Sequence, residues 1–313
     1  MTERRAAKVY RSYDEQVEIL AERGMRIHDR HWAVTRLREV SYYRLSGYWY
    51  PFRMMRADGN GRADRFFPGS DLHDVVALYD FDARLRSSAF AVLAPIELSI
   101  RARLGHELGK IDPLIHLRPD LLGPSARRPG STAASSRYSM WSEQYAAELA
   151  RSREDFVDHH RTKYGGRLPI WAAVEILDWG KLTHLYGMSP QPVRAAVARD
   201  IEISAPQLES WLKSLNILRN YAAHHGRVFN RVFALTPKLP TGNGVPQFTE
   251  LAPTMNRAFG QLSLVQHLLT RLGVGNTRML PAVLDTFPTV PAVPISHLGA
   301  PEGWRGTPLW NAM

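Results

Sequence analysis

With 313 residues, 44% of them hydrophobic, the chain is long enough for one large domain or two small ones with a real core. A net charge of +10 and a pI near 10.0 point to polyanionic partners, either nucleic acid or an anionic membrane surface. There is no cysteine, so disulfides and cysteine-ligated zinc are excluded, and no apolar run approaches the length of a membrane-spanning helix.

The charged start, MTERRAAKVYRSYDEQ, has no apolar core, so no signal peptide is expected and the protein is read as cytoplasmic. Residues 1–11 are basic. Ser12 and Glu15 predict a capping box, and Gly24 predicts the end of the helix that follows. A second helix is expected over about 29–40. Next comes SYYRLSGYWYPFR at 41–53, in which Tyr42, Tyr43, Arg44, Tyr48, Trp49 and Arg53 interleave aromatics with arginine. They read either as a base-stacking platform for RNA or as an aromatic core segment whose arginines reach out to water, and composition favours the second. Residues 56–70 are polar, Gly-rich and loop-like.

A long helix is expected from about 70 to beyond 105, kinked or divided by Pro95. On it, Glu97 and Arg101 are one turn apart, placed either to pair with each other or to orient a catalytic histidine. Residues 112–138, with four prolines, predict a long loop insertion. Helical patterning returns over about 139–164, where His159-His160 reads as a polar helix end rather than a metal site. Leu168-Pro169 opens a further helix interrupted near Gly180. Its Glu175 lies among apolar residues and needs a partner, for which Arg101, Arg219 and His224 are candidates. A helix over 190–200 follows. Ser204 to Gln207 then caps another that runs to about 225. Residues 231–250 predict a loop, 253–273 a last amphipathic helix, and the Pro-rich remainder an extended arm. The fold class is all-α. The expected organisation is an N-terminal segment 1–70, a helical domain 71–273 and a tail 274–313.

The chemistry concentrates in LRNYAAHHGR, 218–227. Asn220 and His224 are one helical turn apart, and Arg219 is one step round, so a cation, an amide and an imidazole share one helix edge. Imidazole moves protons at neutral pH, and guanidinium matches phosphate with a two-pronged fork. Arginine and histidine at this spacing are common by chance, and spacing alone favours a helix end with solvated basic residues.

Several blocks together resemble the Abi family of abortive-infection proteins, the AbiD/AbiF-like group of phage-defence factors. They are Tyr13 to Gln16 with Gly24, SYYRLSGYWYPFR, LYDFDARLR at 78–86, IELSIRARLGHELG at 96–109, LPIWAAVEILDWGKLTHLY at 168–186, LRNYAAHHGRVFNR at 218–231 and PEGWRGTPLW at 301–310. Trp179 stands where an aromatic such as Phe is usual, and the 112–138 loop has no counterpart. RNYAAH fits the R-N-x-x-x-H form of the HEPN ribonuclease motif. The resemblance implies a HEPN-like helical bundle with added N-terminal helices, and metal-independent RNA cleavage that needs no cofactor. It also implies a homodimer whose active site forms between two copies, and a small structured non-coding RNA that restrains the protein. Carried over by position, Arg219, Asn220 and His224 match the motif, while His225, Arg227 and Asn230 belong to its extension. Three rivals stand beside the nuclease. One is a non-catalytic RNA-binding protein that holds a non-coding RNA, and another is a toxin acting on tRNA. A membrane-surface role ranks last, because no helix has a Lys-rich amphipathic face.

Overall fold

The computed structural model describes residues 8–129, 136–240 and 248–311. Parts of the basic start, of the 112–138 and 231–250 loops and of the tail therefore lie outside the described residues. The described chain is all-α apart from one hairpin, with twelve α-helices joined by short 3-10 turns. It divides into two compact units. One holds the chain up to Leu85 with Val283–His297, and the other holds Arg86–Ala282 with the chain from Leu298.

In the first unit, α1 (Tyr13–Glu22) starts at the expected capping box. Glu15 N–H donates to the Ser12 hydroxyl (3.2 Å), and the Glu15 carboxylate accepts from Ser12 N–H (2.7 Å). The helix ends at Gly24, whose φ of 95° lets Met25 N–H fold back onto the Leu20 carbonyl (3.0 Å). α2 (Arg30–Val40) packs against α1, with Leu20 and Leu37 fully buried. The aromatic segment forms α3 (Tyr42–Trp49). A short antiparallel hairpin, β1 (Arg53–Met55) and β2 (Arg62–Phe66), starts just before the stretch read as loop at 56–70 and places its second strand within it. Its ends are fixed by Phe66 N–H to the Arg23 carbonyl (2.9 Å) and Phe67 N–H to the Phe52 carbonyl (2.8 Å), pairings with no local sequence signal.

α4 (Leu72–Gly109) runs 38 residues without a break at Pro95, and the unit boundary falls within it. Proline in a helix interior costs about 3 kcal/mol. Around it Val92, Leu93, Ile96 and Ile100 are all buried, and each fully buried aliphatic side chain contributes about 1.5–3 kcal/mol, so packing outweighs the lost hydrogen bond.

The second unit is centred on α10 (Ala205–Ala223) and α11 (Ala258–Leu272). α10 packs on α8 (Trp179–Met188), α9 (Gln191–Arg199) and α11 through Leu208, Trp211, Leu212, Leu215 and Leu218. α11 is buried nearly all round, and most of its buried polar groups are paired, Gln266 Oε1 being an exception. Gln261 accepts from the Ser214 hydroxyl (2.7 Å) and donates to the Met255 carbonyl (2.7 Å), and His267 Nε2 meets the Ile201 carbonyl (3.0 Å).

Three helical boundaries differ from expectation. The 139–164 helix is two, α5 (Arg137–Arg151) and α6 (Asp155–Lys163), because Arg161 reaches back to the Leu149 and Ser152 carbonyls that end α5. The helix opened at 168 stops after α7 (Ile170–Ala173) and one 3-10 turn. The break comes before Asp178, which caps α8, and Gly180 lies inside α8. The tail is not simply extended. Asn276 starts a turn that leads into α12 (Met279–Asp285), whose Leu280 and Leu284 are buried. At its end, Trp304 and Trp310 pack on Phe259 of α11, with ring centroids 5.7 and 4.8 Å away.

Candidate active site on the tenth helix

Burial of one face of α10 leaves its opposite edge to Arg219, Asn220 and His224. Leu218 and Ala222 point into the core, Arg219 is half-buried, and Asn220 and His224 are exposed. His224 is the C-cap of the helix, and its N–H donates to the Asn220 carbonyl (3.0 Å), which sets the two residues one above the other. Neither the Asn220 amide nor the His224 ring makes a side-chain hydrogen bond to another described residue. The Arg219 and His224 side chains are not in hydrogen-bond contact.

Arg219 is held from beneath. Its guanidinium carbon stands 5.6 Å from the centre of the Phe90 ring on α4, and its Nε is buried with no hydrogen-bond partner. Its charge is felt at Asp178. Burial works to raise the Asp178 pKa, but hydrogen bonds from Lys181, the Lys181 charge and the charge of Arg219 outweigh it and hold the carboxyl below its ordinary value. Asp178 pairs with Lys181, which also reaches Glu148 (3.1 Å). Asp178 is thus already engaged, and no carboxylate forms an ion pair with Arg219 among the described residues.

The turn after the helix is tightly built. His225 takes a left-handed backbone, φ 55°, and Gly226 N–H folds back to the Tyr221 carbonyl (2.8 Å). A Cβ on Gly226 would stand 2.5 Å from Tyr221 Cδ1, so only glycine fits there. Arg227 donates to the Phe229 (3.2 Å) and Asn230 (3.4 Å) carbonyls. Asn230 Oδ1 accepts from Arg257 (3.3 Å), and Arg231 lies 3.9 Å over the Tyr221 ring. Arg227 and Asn230 therefore shape the loop, while His225 is exposed beside His224.

Glu97, Arg101 and Glu175 come together, but with one another rather than with His224. Arg101 donates to Glu97 (2.5 Å), to the Glu175 carbonyl (3.0 Å) and to the Leu177 carbonyl (2.8 Å), and it faces the Glu175 carboxylate at 3.5 Å. This clamp fixes the connector that ends in Asp178, one residue beyond Leu177. Its link to the site passes through that backbone.

The aromatic segment at 41–53 is mostly interior. Tyr48 and Trp49 are buried, Tyr48 donating to Asp82 (2.6 Å) and Trp49 packing edge-on to Tyr42 and Phe66. Their burial removes both from any base-stacking face. Tyr42 is half-buried and accepts from Arg23 (3.2 Å), and Arg53 pairs with Asp64 (3.2 Å). Tyr43 and Arg44 are exposed. Sequence reasoning missed Phe90 and Asp178. Phe90 had a signal, since the buried stripe of α4 runs through Leu85, Ala89, Val92, Leu93 and Ile96, and Phe90 is off it and 43% exposed.

The described chain is an all-α fold that presents an arginine, an amide and an imidazole along one helix edge. The family model described as Abi-like protein matches residues 35–230, more than half the chain and the whole of this site. The chain belongs to that family and is a bacterial abortive-infection protein. No curated protein and no solved structure matches it. No helix among the described residues is long and apolar enough to cross a membrane.

Proposed function

We propose that the α10 edge is the active site of a metal-independent HEPN-type endoribonuclease, completed when two copies place their edges face to face. The observation that carries this reading is Arg219. Its guanidinium lies over Phe90 with a buried Nε that has no partner, next to an amide and an imidazole that make no side-chain hydrogen bond to the described residues. A half-buried cation with no carboxylate paired to it among the described residues favours a ligand that supplies an anion, and a phosphodiester has the matching geometry.

In the proposed reaction, one His224 takes the proton from an RNA 2′-hydroxyl as its oxygen attacks the adjacent phosphorus. The second copy's equivalent imidazole gives a proton to the departing 5′-oxygen. Arg219 stabilises the charge gathered on the phosphate oxygens, and Asn220 positions phosphate or imidazole. The products are a 2′,3′-cyclic phosphate and a 5′-hydroxyl. A two-fold contact supplies both imidazoles from a chain that has one motif. Phe90 and Leu98, both exposed on α4, give such a contact apolar surface.

The test is cleavage of labelled total RNA in EDTA by wild type, Arg219→Ala and His224→Ala, with end-group analysis. Cleavage by wild type alone, leaving cyclic phosphate, supports the proposal. Cleavage that requires divalent metal, or that leaves 5′-phosphates, sinks it. The second reading is a protein that holds a structured non-coding RNA without cutting it, favoured by the +10 charge and the exposed Tyr43 and Arg44. RNA retained uncut by all three proteins would select that reading.

A further inference from the structure

The first unit carries a cluster that the proposed nuclease does not use. His28, in the loop between α1 and α2, brings Nε2 to 2.5 Å from Asp71 Oδ2. His73, in the first turn of α4, has Nδ1 3.2 Å from Asp71 Oδ1. The three donor atoms all lie within 4.8 Å of one another. We propose that His28, Asp71 and His73 form a binding site for a divalent transition-metal ion of the zinc class, which staples the α1–α2 loop to the start of α4.

The surroundings hold the donors in place. Arg26 N–H donates to the Ser70 carbonyl (2.8 Å) and Leu72 N–H to the Arg26 carbonyl (3.2 Å), so the two loops are strapped together on either side of Asp71. Asp71 is only 16% exposed, and its Oδ1 also accepts the His73 N–H (2.8 Å), which fixes the carboxylate. The His73 ring is stacked flat on Trp32 at 4.0 Å and 7°, with Nδ1 turned to that carboxylate. An ion pair between His28 and Asp71 accounts for one of these contacts. It leaves unexplained why a second imidazole, its backbone already bonded to the same carboxylate, converges on it.

Zinc bonds to imidazole nitrogen and carboxylate oxygen at about 2.0–2.2 Å, so tetrahedral ligand atoms stand roughly 3.4 Å apart. The present spacings approach that value with small side-chain rotations. Two nitrogens and one oxygen select zinc, cobalt or nickel over magnesium or calcium, which prefer all-oxygen shells. Water fills the fourth position. The site shares no residue with the α10 edge, and neither proposal depends on the other.

The test uses full-length, tag-free protein stripped with chelator and dialysed at neutral pH. Zinc chloride is titrated calorimetrically, cobalt chloride by visible absorption, and thermal melting is followed with and without zinc. The expected result is one ion per chain at micromolar affinity or tighter, and a melting temperature several degrees higher. His28→Ala, His73→Ala and Asp71→Asn should each lower affinity at least tenfold and abolish the rise in melting temperature. Asparagine caps a helix as well as aspartate does, so Asp71→Asn separates loss of metal from loss of fold. Folded wild type that binds neither ion, or zinc bound with unchanged affinity by all three variants, would overturn the proposal.

Discussion

Arg101 and Arg219 lie in the same unit, and both are drawn out of full solvent, yet their surroundings are opposite. Arg101, 11% exposed at its side chain, donates through its two terminal nitrogens to Glu97, the Glu175 carbonyl and the Leu177 carbonyl, so its charge is neutralised inside the protein even though its Nε has no partner. Arg219 has an aromatic ring beneath it and, among the described residues, no carboxylate paired with it. The first arrangement holds a connector in place, and the second leaves a cation available. An arginine in a helical motif is therefore assigned to structure or to chemistry by what its nitrogens touch, which sequence spacing does not reveal.

The strongest way to break this contrast is at the site. On the proposed reading, His224→Ala or Arg219→Ala lowers RNA cleavage by about 10²–10⁴-fold while the melting temperature stays near wild type. A large loss of stability in either variant would show that Arg219 is as structural as Arg101. The complementary change, Arg101→Ala, leaves Glu97 largely buried without its cation and should cost about 3 kcal/mol in chemical denaturation. Reduced cleavage in that variant should follow its unfolded fraction.

The histidines sharpen the same distinction. His116 is buried against Tyr145 (3.3 Å), and burial holds its pKa down at about 4 against an ordinary 6.5. Between those values the unfolded chain binds a proton that the folded chain refuses. The His116 contribution is therefore complete above about pH 6.5 and is lost as pH falls towards 4, by roughly 3 kcal/mol in all. Burial lowers the pKa of His184 and His267 as well, which adds to the loss in the same direction. Urea midpoints measured from pH 7.5 to 4 should show this slope, and His116→Phe should flatten it. A smaller effect is expected at Phe90→Ala. Removing the ring under Arg219 forfeits about 0.5–1 kcal/mol of cation–π attraction, so on the proposed reading RNA affinity should fall two- to five-fold with little change in stability. The smallest is His225→Gly, which relieves a left-handed backbone and should stabilise the fold by up to about 1 kcal/mol.

Much of this was legible in the residues. The capping box at Ser12 and the N-cap at Ser204 stand where the residues put them, because a cap is decided by four neighbouring residues. The edge that carries Arg219, Asn220 and His224 followed from helical period alone. What escaped depends on distant partners. The β1–β2 hairpin is anchored by carbonyls of Arg23 and Phe52, and the burial of Tyr48 and Trp49 is set by Asp82 and Phe66. Pro95 was overweighted because the burial around it could not be seen. Glu175 had three candidate partners at sequence level, and only the packing of α4 selects Arg101.

Among the described residues α1, α6 and α11 also run into a left-handed residue at their ends, Gly24, Gly165 and Gly273, and each uses glycine for the turn. α10 uses His225. Laboratory evolution that rewarded heat tolerance alone should reach glycine at this position early, since one substitution removes the strain. If the same library is also required to protect cells against phage, glycine at 225 should be depleted wherever the second imidazole contributes. The ratio between the two enrichments would then measure, at a single codon, how far defence and durability pull this chain apart.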